Sequence, residues 1–127
     1  MQSLLVISHG SRHQVSNNEI INLVHNLREE LTHSFPIVVS AFLEFSPQSI
    51  AKSIRHCIDN GATSIKVLPY FLAAGVHVTK DIPDEINTVC EAFESIDIQI
   101  LPHIGSSNNI IGLISHMVTA KGQKDAV

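Results

Sequence analysis

Tryptophan is absent from this chain, tyrosine occurs once, and aromatic residues together make up only 5% of it. Stacking platforms for nucleobases are therefore scarce. Cationic residues are also few. Eight Lys and Arg against twelve Asp and Glu leave a formal net charge of −4, and the lysines cluster only in the polar C-terminal stretch. A basic stripe that neutralises phosphates dominates affinity for nucleic acid, and no such stripe is present. A duplex or RNA partner is excluded on that ground. Long apolar runs are missing as well; none reaches the roughly 18–20 residues that span a bilayer. The start, Met1-Gln2-Ser3, has no basic n-region, so no signal peptide is read there. Cysteine is limited to Cys57 and Cys90, both at core-facing positions of expected helices. Each is read as a buried free thiol acting as a small hydrophobe, which implies a reducing, cytoplasmic setting.

What the chain does have is apolar side chain: 44% of its 127 residues are hydrophobic and 16% are charged. That length suits one domain, and the balance is the reverse of disorder. We read a single domain over residues 1–118, with a polar tail over 119–127 that frays.

Ser3–Ser8 is a branched apolar run with no alternation, the pattern of a strand buried on both faces. A helix is expected next, opened by a Ser16/Glu19 capping box with Val15 and Ile20 as a hydrophobic staple. Its stripe is Ile20, Leu23, Val24, Leu27 and Leu31. Ile37–Leu43 is a second strand, followed by a helix whose start is read at Ser46-Pro47 and whose end is read at Gly61. Ser64–Tyr70 is a third strand. A helix from Asp81 to Phe93 has Asp81 as its expected N-cap, Asp97–Leu101 is a fourth strand, and Ser107 opens a last helix. Strands that alternate with helices imply right-handed crossovers and a parallel sheet. The fold class is therefore α/β: a three-layer, flavodoxin-like domain with a four-stranded parallel sheet and helices on both faces.

Ligands of such sheets bind beyond the carboxyl ends of the strands. Strand one runs into Ser8-His9-Gly10-Ser11-Arg12, strand two into Glu44, strand three leads to His77 and strand four to His103. Two or three imidazoles and a carboxylate thus gather on one edge, with Gly10 and Gly75 in the same loops. Neutral imidazole suits borderline divalent metals, and the same groups accept protons near neutral pH. His13 and His103 read as ordinary surface histidines, and His25, His33, His56 and His116 as solvated or capping rings on helices. Spacing and periodicity alone end at an α/β domain with a His/Glu site at the strand ends.

The segments H-G-S-R at 9–12, A-F-L-E at 41–44 and F-L-x-x-G-x-H-x-x-x-D-I-P at 71–83 resemble the CbiX-type sirohydrochlorin chelatases, within the class II chelatase group. The resemblance covers essentially the whole chain in order, and the third motif is long and specific. It implies insertion of Co2+ or Fe2+, or Ni2+ as in small archaeal members, into sirohydrochlorin on the way to cobalamin or sirohaem. It further implies that His9 and His77 bind the metal and accept protons, with Glu44 as an acid/base or third ligand. Gly10, Ser11, Arg12, Phe42, Leu72 and Gly75 would line the tetrapyrrole pocket. The metal is then a substrate, and no permanently bound cofactor is expected.

Longer members contain two such lobes, whereas this chain resembles the short ones, so a homodimer enclosing the tetrapyrrole is expected. Steering of the substrate's carboxylates falls to Arg12, Lys52 or Lys80. Two other readings compete. One is a tetrapyrrole or metal carrier with the same pocket. The other is a phosphoryl-transfer enzyme with His9 as nucleophile, disfavoured because there is no second arginine clamp and no P-loop.

Overall fold

Branched residues with no polar alternation give the chain no solvent-facing side, so they settle in the middle of a covered sheet. In the computed structural model, which describes residues 1–93 and 95–120, they form β1 (Gln2–Ser8), buried from Ser3 onward. β2 (Ile37–Phe42) and β3 (Ser64–Pro69) flank β1, and β4 (Asp97–Ile100) pairs with β3. All pairings are parallel and the order is β2-β1-β3-β4. The helices α1 (Gln14–Glu30), α2 (Ile50–Asp59), α3 (Ile82–Ala92) and α4 (Asn109–Thr119) each follow the strand of the same number. The expected α/β class is what the structure shows. The chain steps outward from β1 to β2, then crosses back over β1 to β3. That reversal opens a crevice between the carboxyl ends of β1 and β3.

Alternate residues of β1 feed two separate cores. Leu5 and Ile7 pack with Ile65 and Val67 of β3, with Ile50, Ile54 and Cys57 of α2, and with Ile82 and Ile86 of α3. Leu4 and Val6 face the other way, onto Val24 of α1 and Val38 of β2, with Ile20, Leu27, Leu31 and Tyr70 around them. α4 joins neither; Ile111, Leu113, Ile114, Met117 and Val118 are all exposed, Val118 by 76%. The tail read from 119 falls, from 121 onward, outside the described residues.

Three helix starts differ from their sequence reading, because the residues around them are engaged in other bonds. α1 begins at Gln14 with His13 at the cap position, so Ser16 and Glu19 lie inside the helix and form no capping box. Val15 is 74% exposed and staples nothing. The buried Asn17 fastens the entry instead: its Oδ1 accepts from the Ser11 N–H at 2.9 Å, and its Nδ2 donates to the Ser11 carbonyl at 2.9 Å. α2 is capped by Ser49, whose hydroxyl accepts from the Lys52 N–H. The Ser46-Pro47 stretch is used otherwise, because the Gln48 carbonyl after it accepts from Phe42 N–H at the outer edge of β2. Asp81 is no cap: it sits in helical conformation without a capping bond, at the end of a π-helical turn His77–Asp81 that runs into α3. Gly61, in contrast, ends α2 as read, at φ +98°.

Candidate metal centre

His9 leaves β1 where that strand's ladder ends, and its loop is fastened to the loop after β2. Leu43 N–H donates to the Ser8 carbonyl and Glu44 N–H to the His9 carbonyl, both at 3.0 Å. Gly10 makes this approach possible. Its φ is +93°, and a Cβ there would stand 2.0 Å from the Glu44 carbonyl oxygen. The glycine therefore brings backbone to backbone. Gly75 has open space where a Cβ would be. Its carbonyl accepts from the Val78 and Thr79 N–H groups and the Thr79 hydroxyl, which starts the turn that carries His77.

These loops bring the His9 and His77 rings together at the crevice, centroids 4.9 Å apart and planes tilted by 45°. Glu44 joins them, its Oε2 3.3 Å from His9 Nε2. The Gly10 carbonyl lies 3.1 Å from the other nitrogen of His9, Nδ1. A carbonyl only accepts, so that contact puts a proton on Nδ1. The Nε2 lone pair of a neutral ring then meets the Glu44 carboxylate, and the contact is favourable only with a positive charge at Nε2. A second proton or a cation supplies it. His77 leans on Phe71, ring centroids 6.4 Å apart, and its Nδ1 is 2.7 Å from Asp81 Oδ2. About half of each site side chain remains open to solvent: 47% of His9, 51% of Glu44 and 43% of His77.

A hollow of about 320 Å³ extends from this point, lined by Leu43, Glu44, His77, Asp81, Asp84 and Glu85. Its acidic wall has a cost. Burial, and then the charge of Asp81, push the Glu85 carboxyl above its ordinary range. A larger hollow, about 540 Å³, lies between α1 and α2 beside β2 and includes neither histidine. The histidine crevice is the better site because it holds convergent titratable groups at the switch point of the sheet. Among the described residues no set of three or more His, Cys, Asp or Glu side chains is drawn together closely enough to hold an ion. The two histidines and Glu44 form an open jaw rather than a closed cage.

The other expected residues divide. Arg12 lies over the Phe45 ring, 5.1 Å from its centroid, beside Glu44 in sequence. Ser11 is engaged in the α1 entry, its hydroxyl accepting from His13 N–H. Leu72 is 77% exposed, whereas Phe42 is 2% exposed and belongs mainly to the interior. Lys80 is paired with Asp84 at 3.0 Å, and Lys52 borders the distant larger hollow. His25, His33, His56 and His116 are solvated as read. Cys57 and Cys90 are free, and burial raises the Cys57 thiol, which leaves it without nucleophilic character.

Two features at the site escaped the sequence reading. Asp81, taken as a cap, is bound to His77; the signal was their four-residue spacing on one helical turn. Phe45 holds φ +57°, a conformation costly for a bulky residue and typical of functional loops. No sequence pattern marks it.

Residues 3–121 match the family model CbiX. The sirohydrochlorin cobaltochelatase of Methanocaldococcus jannaschii is 39% identical over 83 residues, 65% of this chain and 57% of its own. The sirohydrochlorin cobaltochelatase of Sulfolobus acidocaldarius is 32% identical over 90% of this chain and 87% of its own. SirB from Bacillus subtilis, solved with Fe3+, superposes with a TM-score of 0.84 at 28% identity, over 97% of this chain and 48% of its own. The chain spans about half the length of the Methanocaldococcus jannaschii relative (57%) and of the sirohydrochlorin ferrochelatase of Priestia megaterium (42%).

Proposed function

Because the chain belongs to the CbiX family, we propose that it is a chelatase placing a divalent ion, Co2+ or Fe2+, into sirohydrochlorin. Ni2+ is the third ion to test. The observation that carries this reading is the pair His9 and His77 at 4.9 Å, with Glu44 against His9. Supporting it are relatives named as sirohydrochlorin cobaltochelatases and ferrochelatases.

The chemistry is an exchange. One M2+ enters the macrocycle and two pyrrole N–H protons leave, so the net charge of the macrocycle is unchanged. The ion first sits between His9 and His77, where Glu44 supplies the negative charge that His9 Nε2 lacks. As the ion passes to the ring nitrogens, the freed imidazoles and Glu44 accept the displaced protons and pass them to water. Half-open ligands suit a site that must release its metal, since a closed shell would retain it. Arg12, held over Phe45 and three residues from His9, is the best candidate for a peripheral carboxylate of the substrate, because Lys80 is paired with Asp84. Gly10, Ser11, Leu72 and Gly75 border the macrocycle in this reading, and Phe42 supports them from below. No permanently bound cofactor is required.

Two copies complete the site. Several relatives are about twice as long as this chain, and α4 carries an apolar face that nothing among the described residues covers. A homodimer supplies the missing lobe and covers that face. Free Cys57 and Cys90 suit the reducing cytoplasm.

The test is an anaerobic absorbance assay with sirohydrochlorin and each of Co2+, Fe2+ and Ni2+. Turnover above the spontaneous rate is expected for the wild type, falling at least about 100-fold in His77→Ala and His9→Ala. An active His77→Ala enzyme overturns the assignment. Stoichiometric spectral change without turnover makes the protein a carrier instead.

A further inference from the structure

His77 opens the turn His77–Asp81, and its ring is 43% exposed. An imidazole so placed has two ways to face an ion, because either nitrogen can carry the proton. One contact removes the choice: the Asp81 carboxylate, 2.7 Å from Nδ1. That length is typical of a charge-assisted bond. An ionised carboxylate offers only acceptors, so Nδ1 bears the hydrogen and the lone pair is left on Nε2.

Asp81 is well placed to impose this. Ile82, next to it, is fully buried in the core between α2 and α3, which anchors the turn. Asp81 is not used for helix capping, since it sits in helical conformation with no bond from its side chain to a backbone N–H. The neighbouring cation does not draw it away either, because Lys80 is paired with Asp84 at 3.0 Å. Its counterpart on the opposite jaw is the Gly10 carbonyl at His9 Nδ1, 3.1 Å away. Both rings are thus held by Nδ1 and present Nε2, one through a main-chain carbonyl and one through a side chain.

We propose that Asp81 is a positioning residue that locks His77 in the Nδ1–H form and aims Nε2 at the incoming divalent ion. The proposal rests on the reading of His77 as a metal-binding base and adds how that base is oriented. Carboxylates behind ligating histidines commonly act this way, and their loss costs about 10–100-fold in metal affinity or activity.

The test begins with metal-free, 15N-labelled protein, using long-range 1H–15N imidazole spectra at a fixed pH near 8. His77 is expected as Nδ1–H in the wild type and as the ordinary mixture rich in Nε2–H in Asp81→Ala. Asp81→Asn, which keeps an acceptor oxygen but loses the charge, should fall between them. Titration with Co2+ alone should weaken about 10–100-fold in Asp81→Ala and less in Asp81→Asn, with helix content unchanged by circular dichroism. In the metallation assay the loss should appear mainly in KM for the metal. A wild-type His77 in the Nε2–H form overturns the proposal, as does unchanged Co2+ affinity in a folded Asp81→Ala. A protein that shows the tautomer lock and Co2+ binding but no turnover refutes the chelatase reading alone.

Discussion

The two faces of the sheet are finished to different degrees. On one, α2 and α3 seal Leu5, Ile7, Ile65 and Val67 into a continuous core with Ile54 and Ile82 fully buried. On the other, α1 alone covers Leu4, Val6 and Val38, and α4 stands apart with its apolar residues in solvent. The first face is complete within one chain. The second is closed by a single helix, and the apolar residues of α4 take no part in it. The Ser8 hydroxyl belongs to the same α1-side set of alternate residues, and it is buried with no hydrogen-bond partner among the described residues.

This contrast can be measured. Ile54→Ala, in the sealed face, should lower the unfolding free energy by about 2–5 kcal/mol in urea titrations. Val24→Ala, its counterpart under α1, should cost only about 1–3 kcal/mol, because the site is smaller and its walls can relax. Equal costs would break the comparison. Ser8→Ala should raise stability by about 1 kcal/mol, since it removes a buried hydroxyl that bonds to nothing and keeps the volume nearly unchanged. A loss there would mean that an ordered water serves the hydroxyl. The smallest effect on the monomer belongs to α4. Met117→Glu, at a position 59% exposed, should change monomer stability by less than about 0.5 kcal/mol. It should nonetheless abolish the proposed homodimer, read by sedimentation velocity and by the concentration dependence of Tm. A Met117→Glu protein that still dimerises moves the interface off this helix.

How much of this was legible in the sequence follows the same division. β1 was readable because burial on both faces leaves an unbroken apolar run, and Ser8-His9-Gly10 marked its end. The parallel class followed from alternation, but strand order did not, because each crossover can be made in either direction along the sheet. Gly61 could be read because a left-handed helix end suits glycine in any context. Ser16/Glu19 and Ser46-Pro47 misled because capping signals are local, whereas Asn17 and Gln48 are committed to Ser11 and Phe42 across space. At the site, His9, Glu44 and His77 could be located from strand ends alone. Asp81 and Phe45 could not: one acts through a hydrogen bond to another side chain, and the other through its backbone angle.

The main-chain fastening at Gly10 has a mechanical consequence. His9 and Glu44 grow from loops joined by backbone bonds, with no room for even a methyl group between them. They form one jaw, and a side chain at Gly10 would have to force its two backbones apart. His77 belongs to a separate jaw, carried by its own turn. In the proposed site, ions of different radius are then accommodated mainly by travel of the His77 segment. Structures with Fe2+, Co2+ and Ni2+ should show the His9–Glu44 backbone spacing constant while the His77 backbone shifts.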